Sequence, residues 1–216
     1  MLILYIFVTC KSRISKCYRR IFEMMKALNN DNYIIVLGQD GDDTEKIDKY
    51  VATSHILQLG TCNDYYEGLP EKVFKTFQFI YNNPDFNKYT NFCKLDDDVI
   101  IRKPLLKTDI QDKHYCGVVL NSFNGDRKWH IGKCSPTSPH NNKPYKGSYV
   151  PWCLGGNGYI LSRAAVAVVN AGIFDEEEIY EDLYIAKLLR AKGIYPQQIP
   201  NLKLFLYSKQ HSFMSI

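Results

Sequence analysis

The stretch Lys94-Leu95-Asp96-Asp97-Asp98-Val99-Ile100-Ile101 sets three consecutive carboxylates between apolar and β-branched residues. The pattern is that of a buried strand ending abruptly in charge. Adjacent carboxylates repel one another and stay ionised only where water or a cation stabilises them. Side chains alternate along an extended chain, so two of the three share a side, and a D-x-D pair there can hold a cation together with a ligand hydroxyl. A divalent metal with oxygen ligands answers the requirement. A solvated turn answers it too, because Asp is common in turns.

Around this stretch the chain alternates strand and helix patterns. Leu2 to Val8 reads as a fully buried strand, followed by the polar loop Thr9-Cys10-Lys11-Ser12-Arg13 and a helix from about Ile14 to Asn29. Tyr33 to Leu37 is a second buried strand, closed by Gly38-Gln39-Asp40-Gly41-Asp42, and His55 to Leu59 a third. Pro70 opens a helix with Val73, Phe74, Phe77, Ile80 and Tyr81 on one face and Lys72, Lys75 and Gln78 mainly on the other. Asn91 to Leu95 then delivers the acidic triplet at its carboxyl end. Strand, helix, strand in this order predicts a parallel α/β unit, and such sheets bind ligands beyond the carboxyl ends of their strands. The Thr9 loop, the Asp40 loop and the triplet all occupy such ends.

Beyond the triplet, Tyr115 to Leu120 reads as one strand and Asn121 to Tyr149 as a long polar excursion over the site. Gly155-Gly156-Asn157-Gly158 lacks the ending of a phosphate loop; it marks either a tight turn or a place where a ligand such as a sugar approaches the backbone. Ser162 is a good N-cap for a helix through Ala171. Glu181-Asp182 opens a helix running to about Lys192; a carboxylate there is favoured by the helix dipole alone, or it serves catalysis. Leu202 to Tyr207 reads as a last strand, with His211 in the tail beyond.

At 216 residues the chain fits one domain with a full hydrophobic core. The net charge of +4, without a long basic block, argues against a nucleic-acid partner. Sixteen Tyr and eleven Phe suit sugar rings as well as ordinary core packing. Seven cysteines without a C-x-x-C pair argue against a disulfide framework or zinc knuckle and for a reducing compartment. Met1 to Val8 is too short to span a bilayer and lacks the basic front of a signal peptide, so the expectation is a cytoplasmic protein without a membrane span.

A family resemblance rests on an ordered series of motifs. It comprises Asp64-Tyr65 ahead of the helix with Lys75-Thr76, then Lys94-Leu95-Asp96-Asp97-Asp98-Val99 and Lys128-Trp129. Tyr149-Val150-Pro151-Trp152-Cys153, Gly155-Gly156-Asn157-Gly158-Tyr159 with Leu161-Ser162, Glu181-Asp182-Leu183-Tyr184 and Gly193-Ile194 follow in the same order. On these the chain resembles the inverting β-1,3-glycosyltransferases of family 31 and their Fringe relatives. It is more faintly similar to compact forms encoded by large algal viruses, for which the location would be host cytoplasm. The expectation is of a form without the anchor, stem and paired cysteines of the Golgi members.

The resemblance implies a GT-A fold: α/β, with a mostly parallel central sheet flanked by helices. A nucleotide-sugar half would span about residues 1–101 and an acceptor half about 102–216. It implies transfer of a hexose from a UDP-sugar to a hydroxyl of a glycan or glycoprotein acceptor, with inversion and with Mn²⁺ or Mg²⁺. The matching positions put Asp98 on the metal, with His211, and Asp96 on the metal through water or on the ribose. Asp97 falls near the donor sugar, and Asp182 is the base. Thr9, Arg13 and Asp40 are candidates for the nucleotide, Lys75 and Lys94 for the phosphates, and Gly155 and Gly156 for close approach of the donor. Trp129 and Trp152 are candidates for stacking on acceptor rings, with core packing as the other reading. Two other classes share carboxylates on an α/β sheet: a metal-dependent nucleotidyltransferase and a non-catalytic module that binds sugar nucleotides.

Overall fold

The computed structural model describes residues 1–39, 48–121, 126–199 and 206–208. Its centre is a parallel group of strands. β1 (Ile3–Val8) pairs in parallel with β2 (Tyr33–Leu37) on one side and with β5 (Asn91–Asp96) on the other. β4 (Ile56–Gln58) adds in parallel to β2, and β3 (Lys49–Val51) closes that edge antiparallel to β4. Beyond β5 the sheet continues through β10 (Tyr159–Ser162), β7 (Tyr115–Gly117) and β11 (Gln197–Gln198). The order among the described residues is β11-β7-β10-β5-β1-β2-β4-β3. Strands from both halves of the sequence therefore share one sheet.

β1 and β2 read as unbroken apolar runs because both faces of the sheet are covered. Leu4, Ile6, Val8, Ile34 and Val36 point to the face packed by α2 (Leu69–Asn82), α4 (Arg163–Asn170) and α5 (Glu181–Arg190). Ile3, Tyr5, Phe7, Tyr33 and Ile35 point to the other face, against Cys17, Ile21 and Met25 of α1 (Lys11–Ala27). The alternation of side chains along each strand distributes the two sets. All seven cysteines are free thiols, five of them buried. No described helix is long and apolar enough to cross a membrane.

Register decides where the strand ends meet. Val8 lies opposite both Val36 and Asp96, so β1, β2 and β5 finish level along one rim. β10 runs antiparallel to β5 with Tyr159 opposite Lys94, so the turn at Gly155–Asn157 enters the sheet from that same rim. Ser162 caps α4 as expected, its Oγ accepting from the Ala165 N–H at 3.2 Å.

Two expectations are corrected and one, the strand near His55, is borne out and extended. Tyr115 to Leu120 is two strands: β7 stays in the main sheet, while β8 (Val119–Leu120) leaves it to pair with β9 (Trp152–Cys153). The strand near His55 gains an antiparallel neighbour, β3, because His55 takes a left-handed conformation (φ 57°) that turns the chain back. Lys72 is not on the solvent face of α2 but buried, for the reason given below. At the end of the chain, β12 (Leu206–Ser208) pairs antiparallel with β6 (Val99–Ile101).

Candidate active site

The rim opens into a crevice of about 760 Å³. Its walls are the turn after β1, the acidic turn after β5, the Gly155–Gly156 turn, the start of α5 and the excursion after β8. Of the residues expected at the site, Thr9, Arg13, Lys94, Asp96, Asp97, Asp98, Trp129, Trp152, Gly155, Gly156 and Asp182 all line it. Asp40 and His211 lie outside the described residues.

The three aspartates separate by environment. Asp97 turns inward and is 3% exposed; Thr9 Oγ1 donates to its Oδ2 at 2.6 Å and Arg13 pairs with its Oδ1 at 2.5 Å. Burial raises its carboxyl above the usual range even so, against the opposing pull of Thr9 and Arg13. Its expected place beside the donor sugar is therefore taken up by a tie between β1, α1 and the acidic turn. Asp96 and Asp98, two apart, are half-buried and open to the crevice, as the alternation of side chains predicts.

Lys94 stands one turn of the pleat behind Asp96. It is 1% exposed, and its ammonium donates to Asp96 Oδ1 at 2.7 Å and to Glu181 Oε1 at 2.6 Å. Burial alone would lower a lysine, but Asp96 and Glu181 together hold Lys94 above its ordinary range. Glu181 also accepts from Tyr159 Oη at 3.0 Å, and burial pushes its carboxyl up to about 7 despite Lys94. The expectation that Lys94 meets the donor phosphates meets a physical obstacle: two carboxylates already occupy it. Its position couples the acidic turn to the first residue of α5.

Asp182 follows at the crevice wall. Its Oδ2 accepts from the Gly155 N–H and its Oδ1 from the Leu183 N–H, both at 2.9 Å. Each oxygen keeps a second lone pair. Burial raises its carboxyl above the ordinary aspartate range, with those two N–H donors opposing. Such a group holds a proton more tightly than a solvated carboxylate. Gly155 is required here sterically, since a Cβ on it would lie 2.3 Å from Glu181 Oε1 and 3.2 Å from the Asp182 Cβ.

A second buried network escaped the sequence reading. Asp64 Oδ1 accepts from the Gly38 N–H at 2.7 Å and from the Lys72 ammonium, while its Oδ2 accepts from the Lys11 N–H. Lys72 also donates to the Thr9 carbonyl at 3.0 Å. The pair thereby locks the turns after β1 and β2 to the start of α2, and Lys72 lines the crevice. Lys75, expected there, lies one turn further along α2 in a separate surface depression, paired with Glu71 at 2.6 Å and Thr61 at 2.9 Å. The spacing of an Asp eight residues ahead of a Lys was visible in the sequence; which lysine faces inward was not.

The excursion supplies the outer wall. His130 is buried, with Nε2 2.9 Å from the Lys143 carbonyl and 3.1 Å from that of His140; carbonyls only accept, so Nε2 carries a proton. Its Nδ1 lies 2.9 Å from Tyr180 Oη, just ahead of α5. Glu67 accepts from the Ser135 hydroxyl at 2.5 Å and from its N–H at 3.1 Å. These ties hold Trp129, 43% exposed, over the opening, whereas Trp152 is buried in the core with one side on the crevice.

Among the described residues no three ligand-type side chains gather round one point. Asp96 and Asp98 nevertheless form a hard-oxygen pair on an open crevice. That donor set fits Mg²⁺ or Mn²⁺, which are commonly held by one or two carboxylates with substrate phosphates completing the shell.

Comparison with known proteins bears on the fold and the family. One similar solved structure, described as a glucose-1-phosphate thymidylyltransferase from Bacillus anthracis in complex with sucrose, is 8% identical, with a TM-score of 0.47 over 95% of this chain and 89% of that one. No curated protein matches the chain. The galactosyltransferase family model matches residues 22–200, a span that holds the acidic turn, Lys94, Gly155 and Asp182 alike. The chain belongs to the galactosyltransferase family and is a glycosyltransferase.

Proposed function

We propose that the protein moves a hexose from a UDP-sugar to a hydroxyl of a glycan or glycoprotein acceptor, with inversion and with the help of a divalent cation. The observation that carries this reading is the separation of two kinds of carboxylate in one crevice: Asp96 and Asp98 side by side on the acidic turn at one wall, Asp182 anchored by two backbone N–H groups at another. The likeness to the inverting β-1,3 enzymes belongs to the same proposal.

In this reading the acceptor oxygen bonds to the anomeric carbon as the carbon–oxygen bond to the diphosphate breaks. UDP leaves with that electron pair, and the acceptor proton passes to Asp182. Gly155 and Leu183 keep the Asp182 carboxylate oriented, and its raised proton affinity suits it to take a proton in the transition state. Asp96 and Asp98, with His211 as a further candidate, would hold Mn²⁺ or Mg²⁺, which supplies charge to stabilise the departing diphosphate. Thr9, Arg13 and Asp97 shape the wall beside the β1 end, where the nucleotide is expected.

The test is release of UDP from a panel of UDP-sugars in Mn²⁺, with and without acceptors, and after chelation. Asp182→Asn is expected to lower turnover about 10²–10⁴-fold while UDP still binds. Loss of UDP binding in equal measure would make Asp182 structural. Pyrophosphate release from nucleoside triphosphates, with no UDP from any UDP-sugar, would replace the reading altogether.

A further inference from the structure

Among the described residues four lysine and arginine side chains line the crevice, and three of them are already neutralised. Arg13 pairs with Asp97, Lys72 with Asp64, and Lys94 with both Asp96 and Glu181. Lys133, on the excursion, is the fourth. Among the described residues no carboxylate lies within ion-pair distance of it. Its ammonium instead stands 3.2 Å from the ring centroid of Trp129 and 5.7 Å from that of Tyr66. Partial burial pulls the ammonium below its ordinary range, and the field of Asp126 only opposes this in part.

An aromatic bed orients a cation but does not neutralise it. The bed itself is fixed, because Glu67 grips Ser135 and the His130 ring is held on both nitrogens. Lys133 thus presents a positioned positive charge to whatever fills the crevice, with no ion-pair partner among the described residues and only the field of Asp126 to offset it. One aromatic face of Trp129 is covered by that charge.

Position separates the two anions a glycosyltransferase could bring to it. His130, three residues ahead of Lys133 on the excursion, lies 2.9 Å through Nδ1 from the Tyr180 hydroxyl, and Tyr180 stands two residues ahead of Asp182, so the Lys133 side of the crevice is the side of the proposed base. In a single displacement the acceptor enters beside the base, opposite the diphosphate. One ammonium, with Asp126 lining the same crevice and taken up by the Lys128 N–H at 2.8 Å, matches a monoanion better than a dianion.

We infer that the acceptor is acidic: a glycan whose sugar next to the reacting residue carries a carboxylate, which Lys133 binds over the Trp129 and Tyr66 rings. The inference rests on the glycosyltransferase reading of the crevice and narrows its acceptor class. Lys133 is in this view a specificity-determining residue, distinct from the base.

Binding tests it without turnover. The protein has two tryptophans, Trp129 and Trp152, and both line the crevice, so intrinsic fluorescence reports on ligands there. Methyl β-glucuronide and methyl β-glucoside, with the matching galacturonide and galactoside, are titrated against the UDP- and Mn²⁺-loaded protein. The acid of at least one pair is expected to half-saturate at about tenfold lower concentration than its neutral partner, the worth of one charge-assisted hydrogen bond. Lys133→Met should erase that difference and Lys133→Arg keep it. Equal binding of both members, no response to either acid, or a preference that survives Lys133→Met each overturns the inference. So does a Lys133→Met defect that falls on UDP in place of the acid glycoside, which assigns the cation to the donor diphosphate. Failure of the glycosyltransferase reading would appear elsewhere, as absence of UDP release from every UDP-sugar.

Discussion

Replacing Lys94 by Met leaves a side chain of similar length without its charge, in a place where that charge is shared by two carboxylates. Glu181 is 5% exposed at the side chain and Asp96 36%, so the two losses are unequal. Water screens much of the Asp96 partnership, whereas Glu181 is left as a buried charge with Tyr159 as its remaining donor. Breaking a buried pair on one side costs about 3–5 kcal/mol. With a urea dependence near the upper end of about 1–3 kcal/mol per molar, the unfolding midpoint should fall by roughly 1–2 M. The pH dependence carries a sign. Glu181 holds its proton up to about 7 in the folded chain and to about 4.5 when unfolded, so its contribution to stability falls as pH rises through that window. Without Lys94 the unpaired carboxylate is worse off still, so the deficit should grow with pH and shrink towards acid. Glu181→Gln in the same chain should recover most of it, because an amide needs hydrogen bonds but no counter-charge. Urea titrations of the four chains of this cycle at two pH values measure all three effects. A Lys94→Met deficit below about 1 kcal/mol, or a double variant no more stable than the single, would refute the account of Lys94 as a buried counter-ion.

Lys72→Met should cost about 3–5 kcal/mol, and Lys75→Met, whose pair is partly solvated, about 0.2–1 kcal/mol; thermal or urea denaturation separates them. The rate of UDP release with acceptor should show an acid limb above the ordinary aspartate range: the base works ionised, and its raised carboxyl is protonated as pH falls. A pH profile checks this, and Asp182→Asn should remove the limb from whatever activity remains. Gly155→Ala forces a Cβ into Glu181 and Asp182, so a loss of about 1–3 kcal/mol should come with a fall in turnover, read by thermal unfolding and UDP release.

Much of this architecture is legible in apolar patterning. β1 and β2 are continuous apolar runs because both sheet faces are covered, and each stops where polar residues begin, whereas β5 carries Lys94 within its apolar pattern. The convergence of the Thr9 loop and the acidic triplet follows from parallel pairing, which aligns carboxyl ends. Less legible were the elements whose roles depend on partners far along the chain. The run from Tyr115 to Leu120 has one composition throughout, yet the chain switches sheets at Val118, whose carbonyl takes the Leu154 N–H. Lys72 and Lys75 are three apart on one helix and alike in sequence. Only the presence of Asp64 beneath one of them makes burial tolerable, since a buried ammonium without a carboxylate is too costly to keep.

The triplet shows the same division in small compass. That three adjacent carboxylates must find water, a cation or donors is a property of the sequence, because their repulsion is local. Alternation along the chain further determines that Asp96 and Asp98 share a side and that Asp97 faces away. What each meets there was decided by tertiary structure: Arg13 and Thr9 arrive from the β1 end to receive Asp97, while Lys94 brings together Asp96 and Glu181, 84 intervening residues apart in sequence. Charge at a position is written in the chain, but whether that charge is compensated depends on which strands lie side by side. For the same reason Lys133 looks ordinary as a residue and becomes informative only once the other described cations of its crevice are seen to be paired.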